Sequence, residues 1–370
     1  QEPQTVTAAQ LWEALQAGLI LPTSKNYKIP LMFASEETEV VDTSNVKVSY
    51  KFLHDRVQQA AYSLIPESEK KQTHLKIGQL LLAVSQKPGF LEKPGFSTGE
   101  NIFALVNQLN YGIDLLLQQE ERDELAQLNL IAGQKAKASA AYEAAVNYLN
   151  VGLELLGPDS WERNYQLTRE IHLEAVEAEY LNSNFERAYI LAQEGVARAQ
   201  TLLEKVDFYK GQIQSYLAQN QLQKALELGL KVLEMLGVTL EKEPPQIEQK
   251  VEELAYLPEM TDANKLAALE ILEMVTSSAY STNPELMAQI QFTRVKLCIN
   301  YGNSPLASQV YVGYGVILCG FMGDISLGYQ FGKLGVKMLE ETDASQFKST
   351  TIQDFSGHIQ HWKEPIQATL

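Results

Sequence analysis

The sequence predicts a mainly α fold, an array of packed helix pairs over residues 96–370 behind a small α+β unit over residues 1–85. Three observations predict it. Beyond residue 96 nearly every segment spaces its apolar residues along one face of a helix. Small residues recur there at matching places, with Ala145, Ala188 and Ala225 each early in a second helix. Ahead of the array, Val46, Val48, Tyr50 and Phe52 alternate with Lys47, Ser49 and Lys51, the period-two pattern of a half-buried strand.

Composition narrows the class. Of 370 residues, 45% are hydrophobic and 21% charged, which excludes wholesale disorder. Cys298 and Cys319 make neither a disulfide framework nor a zinc pattern, as expected in a reducing cytoplasm. The chain opens Gln1-Glu2-Pro3 without an initiator Met or a signal-peptide pattern and reads as a segment of something longer. Residues 1–95 are close to neutral, so the net charge of −16 falls on the array. Such a surface repels nucleic acid and anionic membrane, suits basic peptides or protein partners, and also keeps a long helical surface soluble. No charge occurs between Lys296 and Asp324. Asn300, Asn303, Ser304, Pro305, Ser308 and Gln309 nevertheless leave an apolar run shorter than the ~20 residues of a spanning helix, so the segment reads as buried helix.

The first unit runs helix, strand, long hairpin, strand, helix. Leu11, Trp12, Leu15 and Leu19 share a face over Ala8–Leu19, and Gly18 with Leu21-Pro22 closes that helix. Tyr27–Phe33 reads as a strand, the polar stretch Ala34–Asn45 as a hairpin loop, and Val46–Phe52 as the returning strand. Helices follow at Asp55–Leu64, ended by Pro66, and at Ser68–Val84. This is the order of a winged helix. DNA binding is excluded by its recognition-helix candidate, AAQLWEALQAGLI, whose one charge is Glu13.

In the array, Gln86–Glu100 carries Lys-Pro-Gly-Phe twice, at 87–90 and 93–96, and reads as a surface insertion. Leu125–Gly157 spans 33 residues, close to the ~34 of a tetratricopeptide (TPR) repeat. Gly133 lies twelve residues before Ala145, the offset at which that motif places small residues where its two helices touch. The intervals from Ala145 to Ala188 and on to Ala225, 43 and 37 residues, imply longer helices or loops than consensus. Gly152 and Gly195 each follow their alanine by seven residues. Glu241–Pro245 breaks the pattern, and further pairs fall at Asp262–Tyr280 with Pro284–Tyr301 and Pro305–Phe321 with Ile325–Glu341. Ser304-Pro305 reads as a cap followed by a first helical residue. Phe347–Trp362 reads as one helix of a pair whose mate is missing, so the array ends truncated.

A TPR-like α-solenoid works through its concave face, lined by first helices. On this register the face holds Gln134, Lys137, Glu177, Tyr180, Lys210 and Gln214. His358 and His361 are three apart with Asp354 in reach, a set short of the ligands a metal needs. Gly313, Gly315 and Gly320 miss dinucleotide spacing and sit inside a helix, and Tyr311, Tyr314 and Phe321 read as core.

The run YKFLHDRVQQAAYSLI (Tyr50–Ile65), followed by His74-Leu75-Lys76-Ile77-Gly78, resembles the segment after the nucleotide-binding core of STAND-type AAA ATPases. It is most similar to large cyanobacterial multi-sensor kinases, which join a serine/threonine kinase, such an ATPase, helical repeats, a GAF domain and a histidine kinase. The likeness continues through Leu105–Asn110, Leu128–Gly133 and His361–Pro365. It implies that ATP or ADP is bound in the parent protein, none in this segment, and that the winged-helix His54 reaches toward the bound diphosphate. Asp55 and Arg56 are weaker candidates, Asp55 being placed to begin a helix. The chain has no G-x-x-x-x-G-K-[ST] loop and no kinase signature set, and Asp354-Phe355-Ser356-Gly357 is not DFG. The expectation is therefore a cytoplasmic, non-catalytic regulatory module. It would take a protein or peptide on the concave face and communicate with the ATPase and kinase domains of its own polypeptide. The alternative is a small-molecule-sensing superhelical repeat domain of a STAND-type regulator.

Overall fold

The computed structural model describes residues 4–23, 48–85, 100–341 and 345–365, and these are mostly helical. The strand expected at Tyr27–Phe33, the loop at Ala34–Asn45 and the two Lys-Pro-Gly-Phe motifs lie outside the described residues. The chain divides into two compact units, one of residues 1–94 with 107–116, the other of 95–106 with 117–370.

In the first unit, α1 (Gln4–Gln16) ends before Gly18, whose φ of +70° is a conformation that glycine adopts without strain. Leu21-Pro22 does not close the helix as expected. It belongs to β1 (Ile20–Pro22), which pairs antiparallel with β2 (Tyr50–Phe52), Ile20 opposite Phe52. Pro22 sits at the end of its strand, where its missing N–H costs little. Two helices follow, α2 (Asp55–Ser63) and α3 (Glu67–Ser85), within a few residues of the predicted spans. His74 on α3 joins the unit's parts. Its Nδ1 lies 2.6 Å from Gln108 Oε1, an acceptor, so Nδ1–H donates, and Nε2 lies 2.7 Å from the Tyr62 hydroxyl.

The helix Glu100–Tyr111 (α4) contributes residues to both units. The second unit continues with α5 (Gln119–Ala138), α6 (Tyr142–Leu156), the short α7 (Ser160–Arg163), α8 (Tyr165–Leu181), α9 (Phe185–Arg198), α10 (Leu202–Ala218) and α11 (Leu222–Met235). Three of its hairpins share one turn. Ala140, Ser183 and Asn220 each take a left-handed φ, of 56°, 65° and 56°. The residues after them, Ala141, Asn184 and Gln221, share φ near −88° and ψ of 58–66°. In each turn this next residue donates its N–H back to the carbonyl five residues earlier, Ala136, Glu179 or Tyr216. Ala145, Ala188 and Ala225 then fall at the same place in each second helix, each buried. Gly133 packs closely on the second helix: a Cβ built there would stand 2.6 Å from the side chain of Leu149, one turn beyond the buried Ala145.

After an extended stretch through Pro244-Pro245 come α12 (Ala263–Thr282), capped by Asp262, and α13 (Pro284–Tyr301), capped by Asn283 with proline at the first position. The next helix, α14 (Ala307–Ile317), begins two residues later than Ser304-Pro305 predicted, because the Ser304 hydroxyl accepts from Leu306 N–H and makes a turn first. Tyr311 and Tyr314 are core, as expected, but Phe321 is 58% exposed. A π-turn at Leu318–Met322 adds a residue to the helical cycle and carries Phe321 off the buried face. Then α15 (Ile325–Glu341) packs closely on α14, with Gly315 and Gly328 against each other's backbone. The last helix is α16 (Lys348–His358), shorter than predicted, with 3₁₀ turns at Ser345–Phe347 and Gln360–Trp362. No helix among the described residues is long and apolar enough to cross a membrane.

Candidate functional site

The first helices of the second unit, α5, α8, α10 and α12, are linked by side chains. Lys137 on α5 reaches Glu174 and Glu177 on α8, each at 2.5 Å, and Gln134 donates to Glu174 at 3.2 Å. Arg169, two turns back along α8, donates to Asp207 on α10 at 2.5 Å. Lys210 on α10 stands 3.5 Å from Asp207 and pairs with Glu270 on α12. Acid and base therefore alternate from helix to helix.

The environment shifts two groups here, Lys137 and Tyr180. Burial opposes the Lys137 ammonium, but its hydrogen bonds to Glu174 and Glu177 outweigh that and raise its pKa. Burial pushes the Tyr180 hydroxyl up to about 12, helped by the charge of Glu177 and by Tyr142. Tyr180 thus stays a neutral donor beside a carboxylate.

Of the six residues predicted to share a face, the structure joins Gln134 and Lys137 at Glu174, and Lys137 also to Glu177, with Tyr180 in the field of Glu177. Lys210 belongs to the next link, and Gln214 stands exposed one turn farther along α10. The partners Glu174, Arg169, Asp207 and Glu270 were not singled out. Lys137–Glu174 and Arg169–Asp207 set opposite charges 37 and 38 positions apart, about one repeat, but Lys210–Glu270 does not share that spacing, so the sequence alone does not mark the set.

His54 is the N-cap of α2, with extended φ and ψ of −146° and 143°. Its side chain makes no capping hydrogen bond and is exposed, while Asp55 opens the helix as an acid in the first turn. Among the described residues no cluster of three or more His, Cys, Asp or Glu side chains could hold a metal ion.

No family model matches the chain. It is 25% identical, over 379 aligned positions and 87% of its own length, to hybrid signal transduction histidine kinase G of Dictyostelium discoideum. The chain spans only 11% of that protein. The likeness supports a relation to a signalling kinase. It does not extend to a cyanobacterial source or to the order of the other domains.

Proposed function

We propose that this chain is a non-catalytic regulatory and protein-interaction segment of a multidomain signalling ATPase/kinase. Its second unit is read as a TPR-like α-solenoid, and its first as a winged-helix-like unit following an ATPase core. The observation that carries this reading is the hairpin repeated three times, with the same left-handed turn at Ala140, Ser183 and Asn220. A repeated helix pair exposes a row of first helices, the surface such arrays use to bind proteins. Similarity to a histidine kinase supplies the signalling context. A partner seated on Gln134, Lys137, Glu177, Tyr180, Lys210 and Gln214 would compete with the links between helices and so change how they pack. That change would pass to the first unit, and through His54 to ATP or ADP bound elsewhere in the cytoplasmic parent protein.

The test is a pull-down with the wild-type chain and the Lys137→Ala/Tyr180→Ala double variant, followed by affinity measurement on any purified partner. The wild type should retain a partner at least tenfold more tightly than the variant. Equal affinity would remove the first-helix face from the proposal.

A further inference from the structure

A second cleft lies among α9, α10 and the start of α11. Helix α10 forms the floor of a cleft of 300 Å³ whose walls are α9 and the start of α11, a volume at the lower end of the range for small-ligand pockets. Phe185 and Tyr189 on α9 and Tyr216 on α10 supply aromatic surface, and Tyr189 is 46% exposed.

Two polar atoms at the cleft are buried without partners. Gln219 Nε2 donates to the Ser215 carbonyl at 3.0 Å, leaving its Oε1 to accept from Gln221 Nε2 at 2.9 Å. That leaves Gln221 Oε1 as an acceptor without a partner. Gln212 on the floor is 4% exposed, and its Nε2 is a donor without a partner. A buried native amide is ordinarily satisfied. Both orphaned atoms are closed to solvent, and the soft terminal torsions of Gln212 and Gln221 let each turn toward a seated ligand.

We propose that this cleft binds a peptide segment, taking a neutral backbone amide between its aromatic walls. A peptide unit brings the complementary pair, a carbonyl for Gln212 Nε2 and an N–H for Gln221 Oε1. The tyrosine rings receive its flanking side chain. Charge disfavours a phosphate ligand, because Glu186 offsets Lys224 at the cleft. Burial and the neighbouring Tyr189 raise the pKa of Tyr216, which keeps its hydroxyl neutral.

The experiment titrates the full chain with N-acetyl-L-tyrosinamide and follows side-chain amide signals by NMR, with p-cresol and methyl glucoside as comparison probes. The amide should saturate and shift the Gln212 signal. Gln212→Leu, which keeps the floor filled, should weaken binding about tenfold with thermal unfolding preserved. Glu143→Gln, exposed on α6 and outside both surfaces, should leave it unchanged. No saturable shift in a folded chain, equal affinity in Gln212→Leu, or equal binding of p-cresol overturns the proposal. Saturation by the glucoside instead of the amide also overturns it, in favour of a sugar site.

Discussion

Gly195 on α9 lies directly under the ring of Phe208 on α10, so that a Cβ built on the glycine would stand 2.2 Å from the ring edge. Phe208 is fully buried and has nowhere to retreat. Alanine would gain about 1 kcal/mol of helix propensity but incur an overpacking cost of about 1–3 kcal/mol. Gly195→Ala is therefore expected to lower unfolding stability by about 1 kcal/mol in urea. The comparison is Gly357 on α16, where an added Cβ meets nothing within 4 Å. Gly357→Ala should leave stability unchanged or raise it by up to about 1 kcal/mol. A stabilised Gly195→Ala would show that α9 and α10 pack less tightly than described.

The link between Lys137 and Glu174 is partly buried, their side chains 17% and 22% exposed. A double-mutant cycle of Lys137→Ala and Glu174→Ala should give a coupling of about 0.5–1 kcal/mol, smaller at high salt. The folded-state pKa of Lys137 is raised above the ordinary 10.5. Its contribution is thus complete below that value and lost as pH climbs through the raised one. A coupling near zero at low salt would mean that this ion pair adds nothing to the packing of α5 on α8.

Much of this was legible in the sequence, for local reasons. Asn283-Pro284 and Gly302 bracket α13 so clearly that its predicted and observed bounds agree, Gly302 taking a φ of +101° against the Pro258 carbonyl. The shared hairpin turn was not legible, because Ala140, Ser183 and Asn220 adopt left-handed φ without being glycine. Long-range partners were hidden for a different reason. Lys137 was singled out as a groove residue, but which acids it meets depends on how α5 lies across α8, and no local pattern encodes that. Phe321 was misplaced because nothing in LCGFM announces a π-turn.

Glu194 gives a prediction in acid. It stands 3.7 Å from His172 Nε2 and accepts from the Trp161 indole at 3.2 Å. His172 Nδ1 donates to the Thr168 carbonyl at 2.8 Å, which leaves Nε2 facing Glu194. The nearby His172 ring, with the hydrogen bond from the Trp161 indole, holds the Glu194 carboxyl at about 2, against the usual 4.5, although burial works the other way. A depressed carboxylate stabilises the fold above its unfolded value and loses that contribution as pH falls. Wild type should therefore lose stability between about pH 4.5 and 2 more steeply than Glu194→Gln. Parallel acid denaturation curves would remove the His172 interaction from the account.

Asp354 should behave in the opposite sense. It lies on α16, where burial raises its pKa, as does Glu273 on α12, while His358 and Arg294 act to lower it. Arg294 is itself 2% exposed and is already paired with Glu273 and bonded to Gln291 Oε1 at 3.2 Å, so its charge does not fully serve Asp354. A carboxyl with a raised folded pKa binds its proton more tightly in the native state. Its contribution is complete below the ordinary value of 3.8 and is lost as pH rises through the raised one. Asp354→Asn, which keeps the shape and removes the charge, should raise the midpoint of thermal unfolding at pH 7 relative to wild type. The difference should shrink at pH 3. Glu273→Gln should act differently, because it leaves the Arg294 guanidinium buried without its counter-charge. Breaking a buried pair costs about 3–5 kcal/mol, and the partial exposure of Glu273, 32%, places the expected loss at or below the lower end of that range. If Asp354→Asn destabilises at pH 7 as strongly as Glu273→Gln, then Asp354 is a working partner of Arg294 and not a carboxylate strained by burial.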